Sequence, residues 1–144
     1  MSDYSEKFEK MRIAGKLAAQ TLDMLTDNIK EGVSTNHIDK LGYEFIRDNG
    51  GYSAPLYYRG FKKSLCTSLN HVVCHGIPSE DRILEEGDAL NVDVTAIVDE
   101  HYGDTSRMFC IGTTSVKLNN LINATYESMM RAIKILKPGI KLGD

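Results

Sequence analysis

The sequence predicts a chain of the mixed α/β class, of α+β type, in which an antiparallel β-hairpin stands between amphipathic helices. Three observations carry that prediction. Apolar residues recur at helical spacing from about residue 5 to residue 28 and again from about 116 to 136. Between them, Asn91 to Ala96 alternates with period two, Val92, Val94 and Ala96 to one side and Asn91, Asp93 and Thr95 to the other. A second strand-like run, Tyr102 to Met108, follows after a short turn.

In the first helix, Phe8, Met11, Ala14, Leu17, Ala18, Leu22 and Leu25 form one apolar stripe, and Gly32 closes the segment. Met1-Ser2-Asp3-Tyr4-Ser5-Glu6-Lys7 opens it with charge and carries no apolar signal core. Ser34 or Thr35 is positioned to cap a second helix with Ile38, Leu41 and Phe45 on one face, and Gly50-Gly51 stops it. That glycine pair follows a helix and lacks a fuller GxGxxG pattern, which disfavours a phosphate loop.

From Ser53 the character changes. Leu56 to Phe61 reads as an aromatic loop, Ser64 to Leu69 as a short strand, and Val72 to Pro78 as an extended stretch ending in Gly and Pro. Ser79 to Gly87 reads as a polar surface turn, and Ala89 to Ile111 as the hairpin. A third helix, about Val116 to Leu136, presents Leu118, Ile122, Tyr126, Met129, Ile133 and Leu136 on one side before Lys137-Pro138-Gly139 ends it. There are no internal repeats. The tail from Ile140 to Asp144 resembles the approach to another element.

Composition narrows the partners. The chain has 144 residues, 42% hydrophobic and 26% charged, with a net charge of −3. That is the size of one domain and excludes a strongly basic nucleic-acid binder. Three cysteines, Cys66, Cys74 and Cys110, lack paired spacing, which fits a reducing compartment rather than a disulfide framework. No run of about 18 apolar residues occurs, so no membrane partner is expected and the default location is the cytoplasm.

The chemistry begins at Asp93 and Asp104. A hairpin with an even loop places both on one face, directly opposed or one diagonal step apart, roughly 5–8 Å between Cβ atoms. Two carboxylates there repel unless a proton or cation lies between them. A metal site and an ordinary solvated sheet face both remain open from spacing alone. His75 is able to donate to a carbonyl or shuttle a proton, or to be a plain surface histidine. Cys66, Cys74 and His75 do not make a zinc site, since no CxxC is present and neighbours on a strand face opposite ways. No GxSxG elbow occurs. Tyr57, Tyr58 and Phe61 line a small pocket or pack beneath their own loop.

Lys63 to Pro78, then Gly87 to Thr95 and Tyr102 to Ser106, together closely resemble bacterial type I methionine aminopeptidases. The likeness runs from the Glu9-Lys10-Met11-Arg12 helix to Lys137-Pro138-Gly139. It implies the N-terminal half of a pita-bread fold, an antiparallel sheet with helices on one face, spanning residues 1–144 as one unit. It implies removal of the initiator methionine from nascent proteins by water activated at two divalent ions (Co, Mn, Fe or Zn). Asp93 and Asp104 match metal ligands, Asp104 the bridging one, and His75 matches the catalytic, substrate-contacting histidine. Tyr58, Phe61 and Cys66 match the methionine pocket, and Asn70 and Val72 match a monovalent-cation site.

The resemblance further implies contact with nascent chains and transiently with the ribosome, no specific nucleic acid, and a monomeric parent. The family's remaining histidine and two glutamate ligands have no counterpart in this sequence. The 144 residues are therefore expected to hold an incomplete site, to be inactive alone and to self-associate through an uncovered sheet edge. Alternatives are a non-catalytic pita-bread homologue that binds protein or nucleic acid, and a metallopeptidase specific for X-Pro bonds.

Overall fold

A computed structural model describes residues 4–144, which divide into two compact units, one ending at Thr113 and the other running from Thr114 to Asp144. The opening Met1-Ser2-Asp3 lies outside the described residues. In the first unit, helices α1 (Tyr4–Thr26) and α2 (Thr35–Asp48) precede strands β1 (Tyr52–Ser53), β2 (Cys66–Leu69), β3 (Ala89–Val98) and β4 (His101–Cys110).

The sheet is antiparallel throughout and is organised on β3. Along one edge β3 pairs with β4 over its full length, from Ala89↔Cys110 to Val98↔His101. Along the other edge it pairs first with β2, Cys66↔Asp93 to Leu69↔Leu90, and further on with β1, Tyr52↔Ile97. The two residues of the hairpin turn, Asp99 and Glu100, both have positive φ, 46° and 64°. That pattern matches the right-handed twist of the flanking strands, so the predicted even-loop hairpin forms in register.

One face of the sheet is dry. Leu90, Val92, Val94 and Ala96 of β3 pack with Leu17, Ala18, Leu22 and Leu25 of α1 and Ile38 and Ile46 of α2. Both helices are amphipathic and sink part of their stripes there, so the hydrophobic effect fixes which way β3 faces. Contact between α1 and β4 requires Gly103. A Cβ at this position would lie 2.2 Å from the Ala14 carbonyl carbon.

The predicted α1 stripe is only partly buried. Ala14 to Leu25 sink into the core, but Phe8 and Met11 remain 53% and 50% exposed. The reason is geometric. Gly103 meets α1 at Ala14 and Gly15, so the turns before Ala14 project beyond the hairpin and have no sheet to cover them.

Ser34 caps α2 by accepting from the His37 amide at 3.1 Å. Gly50 has φ 79° at the helix end, as expected. Gly51 has a different use, since a Cβ there would come within 2.5 Å of the Leu17 side chain. Three local features go beyond the sequence reading. β1 was not foreseen, because two residues carry no alternation. The stretch Val72–Pro78 forms no strand; it runs irregularly along β2, tied by the Thr67 amide donating to the Gly76 carbonyl at 2.8 Å. The loop 79–87 is more than a polar turn, because Leu84 is fully buried and Ser34 bridges to Ile83.

The second unit contains helix α3 (Val116–Ile135), capped by Ser115, whose hydroxyl accepts from the Leu118 amide. The helix forms over the predicted span, but none of its residues is buried, and Tyr126, Met129 and Ile133 are exposed.

Candidate metal centre

The open face of the sheet carries the residues singled out for chemistry. Asp93 is opposite Ser106, and Asp104 is opposite Thr95. The two aspartates are therefore one diagonal step apart on the same face, and on its other side Asp93 is opposite Cys66. Parity follows from the register: a one-residue slip in either strand would send one carboxylate into the core.

The electrostatics fit a cation. Burial, followed by the Asp104 charge and a hydrogen bond between the two carboxyls, raises Asp93 above the ordinary carboxylate range, while nearby His75 pulls it down. Such a bond requires a proton on one carboxyl, and a divalent ion neutralises the same repulsion with hard oxygen donors around it. Among the described residues no group of three or more His, Cys, Asp or Glu is placed to hold a metal ion. Asp93 and Asp104 are a pair of oxygen donors on one face, one fewer than the smallest such group.

A cleft of about 900 Å³ opens over the pair, and Tyr58, Phe61, Cys66, His75, Asp93 and Asp104 all line it. Six of the eight residues expected at a site are brought together in this way. Burial, with the charges of Asp93 and other acidic neighbours, pushes the Cys66 thiol up to about 11, so it stays neutral as part of the wall. His75 has φ 55°, a region few side chains occupy. Its neighbour Gly76 explains the placement. A Cβ there would meet the Thr67 carbonyl oxygen at 2.1 Å, so the chain presses directly on β2 and turns His75 outward beside the cleft.

Asn70 and Val72 lie elsewhere, in the turn after β2 and outside the cleft lining. The Asn70 side chain donates to Asp88 and accepts from the Ala89 amide, which closes the entry to β3.

Sequence reasoning missed Asp39. On α2 it is only 8% exposed, and its Oδ1 accepts from the Ser64 and Leu65 amides and the Ser64 hydroxyl. It anchors the strand that carries Cys66. The sequence carries no periodic signal for it, since Asp39 stands between Ile38 and Lys40 and its neighbours one turn away are Thr35, Asn36, Gly42 and Tyr43. Thr95 was read merely as a strand residue, yet it stands opposite Asp104 and lines the cleft.

Comparison with known proteins gives first the class. Residues 9–144 match the model of metallopeptidase family M24, and the chain belongs to that family. Within it, the chain is similar to methionine aminopeptidases. It is 54% identical over 142 residues to the methionine aminopeptidase of Rickettsia prowazekii, covering 98% of this chain and 54% of that protein. The crystal structure of the Thermotoga maritima methionine aminopeptidase superposes with TM-score 0.95 at 33% identity, covering 100% of this chain and 58% of that one. An Xaa-Pro dipeptidase from Bacillus anthracis, at 22% identity and TM-score 0.83 over 94% of this chain and 37% of that one, shares the fold. These neighbours establish the pita-bread fold expected from the sequence. The chain spans about half the length of the curated relatives it matches.

Proposed function

We propose that this chain forms the aspartate-bearing half of a methionine aminopeptidase that removes initiator methionine from nascent chains in the cytoplasm. One observation carries the reading: Asp93 and Asp104 meet diagonally at the floor of the cleft that His75, Tyr58, Phe61 and Cys66 line. The higher identity to methionine aminopeptidases than to the X-Pro enzyme supports that substrate over an X-Pro bond.

Asp93 and Asp104 would hold the divalent ions. Such ions, when bound, lower the pKa of water and polarise a carbonyl. Manganese, iron, cobalt and zinc all suit the donor set. The imidazole of His75 donates a hydrogen bond to the scissile carbonyl oxygen, an interaction that strengthens as negative charge develops there. Tyr58 and Phe61 give the methionine thioether polarisable aromatic surface, and the neutral Cys66 thiol adds to it without competing as a charged group. Asn70 and Val72 would offer oxygens to a monovalent cation at the β2 turn. Transient contact with the ribosome brings the substrate.

With two carboxylates as the donors present, the chain by itself binds divalent ions weakly and does not turn over peptide. The test combines metal binding with hydrolysis. Titration with Mn²⁺ followed by calorimetry is expected to show weak binding that Asp93→Asn abolishes. Incubation with Met-Ala-Ser and metal is expected to release no methionine. Metal binding unchanged in the variant would sink the site assignment, whereas methionine release would sink the claim of inactivity.

A further inference from the structure

The cleft has a second charged feature that the proposed reaction leaves unused, and the inference drawn from it rests on reading the cleft as a peptide site. Tyr58 to Phe61 form a turn closed by the Phe61 amide donating to the Tyr58 carbonyl at 3.0 Å. Its central residues, Arg59 and Gly60, both have positive φ, 46° and 81°. Glycine adopts this region freely, whereas arginine does so at a cost. Strain held at a long cationic residue beside a cleft is an observation from which function can be argued.

The Arg59 guanidinium lies 5.4 Å from the centroid of the Tyr58 ring, which fixes it against the wall and leaves its charge uncompensated. Lys62 follows within the same loop. Both line the cleft whose floor holds Asp93 and Asp104. Among the described residues neither has an ion-pair partner. The cleft is therefore polarised, with carboxylates at its floor and free cations along the 59–62 loop. A peptide whose first residue sits by the carboxylates, against Tyr58 and Phe61, has Arg59 and Lys62 beside it on the same loop, lining the cleft its next residues would cross.

We propose that Arg59 and Lys62 form a specificity site for acidic side chains a few residues downstream of the N-terminal methionine. Both cations are exposed, so each contact contributes modestly, and the pair is worth a factor of about two to ten in affinity at low salt.

The test is fluorescence-anisotropy titration of the 144-residue chain with C-terminally labelled peptides Met-Ala-Ser-Asp-Glu, Met-Ala-Ser-Gln-Gln and Met-Ala-Ser-Lys-Arg, each paired with a Gly-initiated version. The acidic methionine peptide is expected to bind tightest and the basic one weakest. The preference should vanish in about 1 M salt, where screening acts within about 3 Å. It should also vanish in an Arg59→Gln/Lys62→Gln double variant and reverse in Arg59→Glu/Lys62→Glu, with thermal midpoint and neutral-peptide affinity unchanged. Methionine peptides that bind in preference to glycine ones, but with no regard to downstream charge, overturn this proposal alone. So does an acidic preference that survives charge reversal. Equal binding of methionine and glycine peptides, or no binding of any, overturns the peptide-site reading and this proposal with it.

Discussion

Asp39 on α2 holds Ser64 at the root of β2 three ways: its carboxylate accepts from the Ser64 amide at 2.8 Å and hydroxyl at 2.6 Å, and its backbone carbonyl accepts from the same hydroxyl at 3.0 Å. The hydroxyl has one proton to share between two acceptors, so these bonds form a bifurcated contact rather than independent ones. The Leu65 amide adds a further bond to the same Oδ1 at 2.9 Å. Asp39, Ser64 and Leu65 do not line the cleft, yet they fix where Cys66 enters it. Asp39→Ala leaves two buried amides without an acceptor and is expected to cost roughly 2–4 kcal/mol. Urea unfolding checks this, and Asp39→Asn, which keeps one acceptor oxygen, should lose less.

The repulsion between Asp93 and Asp104 predicts that a candidate metal-site residue destabilises its own fold. Burial and the Asp104 charge raise Asp93 from the ordinary 3.8, so the folded chain keeps this proton to higher pH than the unfolded chain. Folding then takes up a proton between the two values, and stability falls as pH rises through that window and stays lower above it. Asp93→Asn should therefore raise the melting temperature at pH 7, with the gain shrinking as the pH falls toward about 4. A lower melting temperature at neutral pH would contradict this. A divalent ion that binds the pair should also raise the melting temperature of the unsubstituted chain.

Gly103 is expected to tolerate no side chain. Its Cβ would be 2.2 Å from both the Ala14 carbonyl carbon and the Gly15 nitrogen, which are backbone atoms of α1 that cannot rotate aside. Gly103→Ala must push helix and strand apart, at a cost of about 3 kcal/mol. Because Asp104 is the next residue, the same change should also weaken metal binding. Gly15→Ala is the control, since nothing lies within 4 Å of a Cβ there.

The three cysteines should separate by reactivity. Cys74 and Cys110 are exposed, whereas Cys66 is buried and its thiol is pushed up to about 11. At pH 8 a disulfide reagent should label two thiols quickly and the third only when the chain opens. Equal rates for all three would show that the cleft wall is not formed.

The outer edge of β4 pairs with no strand among the described residues, and Tyr102 and Met108 stand exposed on the open face beside it. A ten-residue unpaired edge next to apolar surface invites pairing. Light scattering should show concentration-dependent association, and a charge placed on the open face, such as Met108→Lys, should reduce it. A monodisperse monomer at high concentration would refute this.

Much of the site was legible before any coordinates. Alternation in Asn91–Ala96 and the parity of an even loop put Asp93 and Asp104 on one face, and the observed register places them one diagonal step apart. Such local rules work because a strand has a fixed period and a hairpin has a fixed partner. The stripes from Ala14 to Leu25 and on α2 were equally clear, because burial selects them.

The sequence alone determined the helices, the hairpin and the type of chemistry its carboxylates can do. Tertiary structure decided what meets what. It stranded Phe8 and Met11 beyond the sheet, pressed Gly76 onto β2 so that His75 turns beside the cleft, and gave Asp39 its task at Ser64. Each of these depends on contacts between residues far apart in the chain, whose spacing leaves no periodic trace. The aspartate pair required both: period two put the carboxylates on one face, and the packing of α1 under Gly103 decided which face stays open.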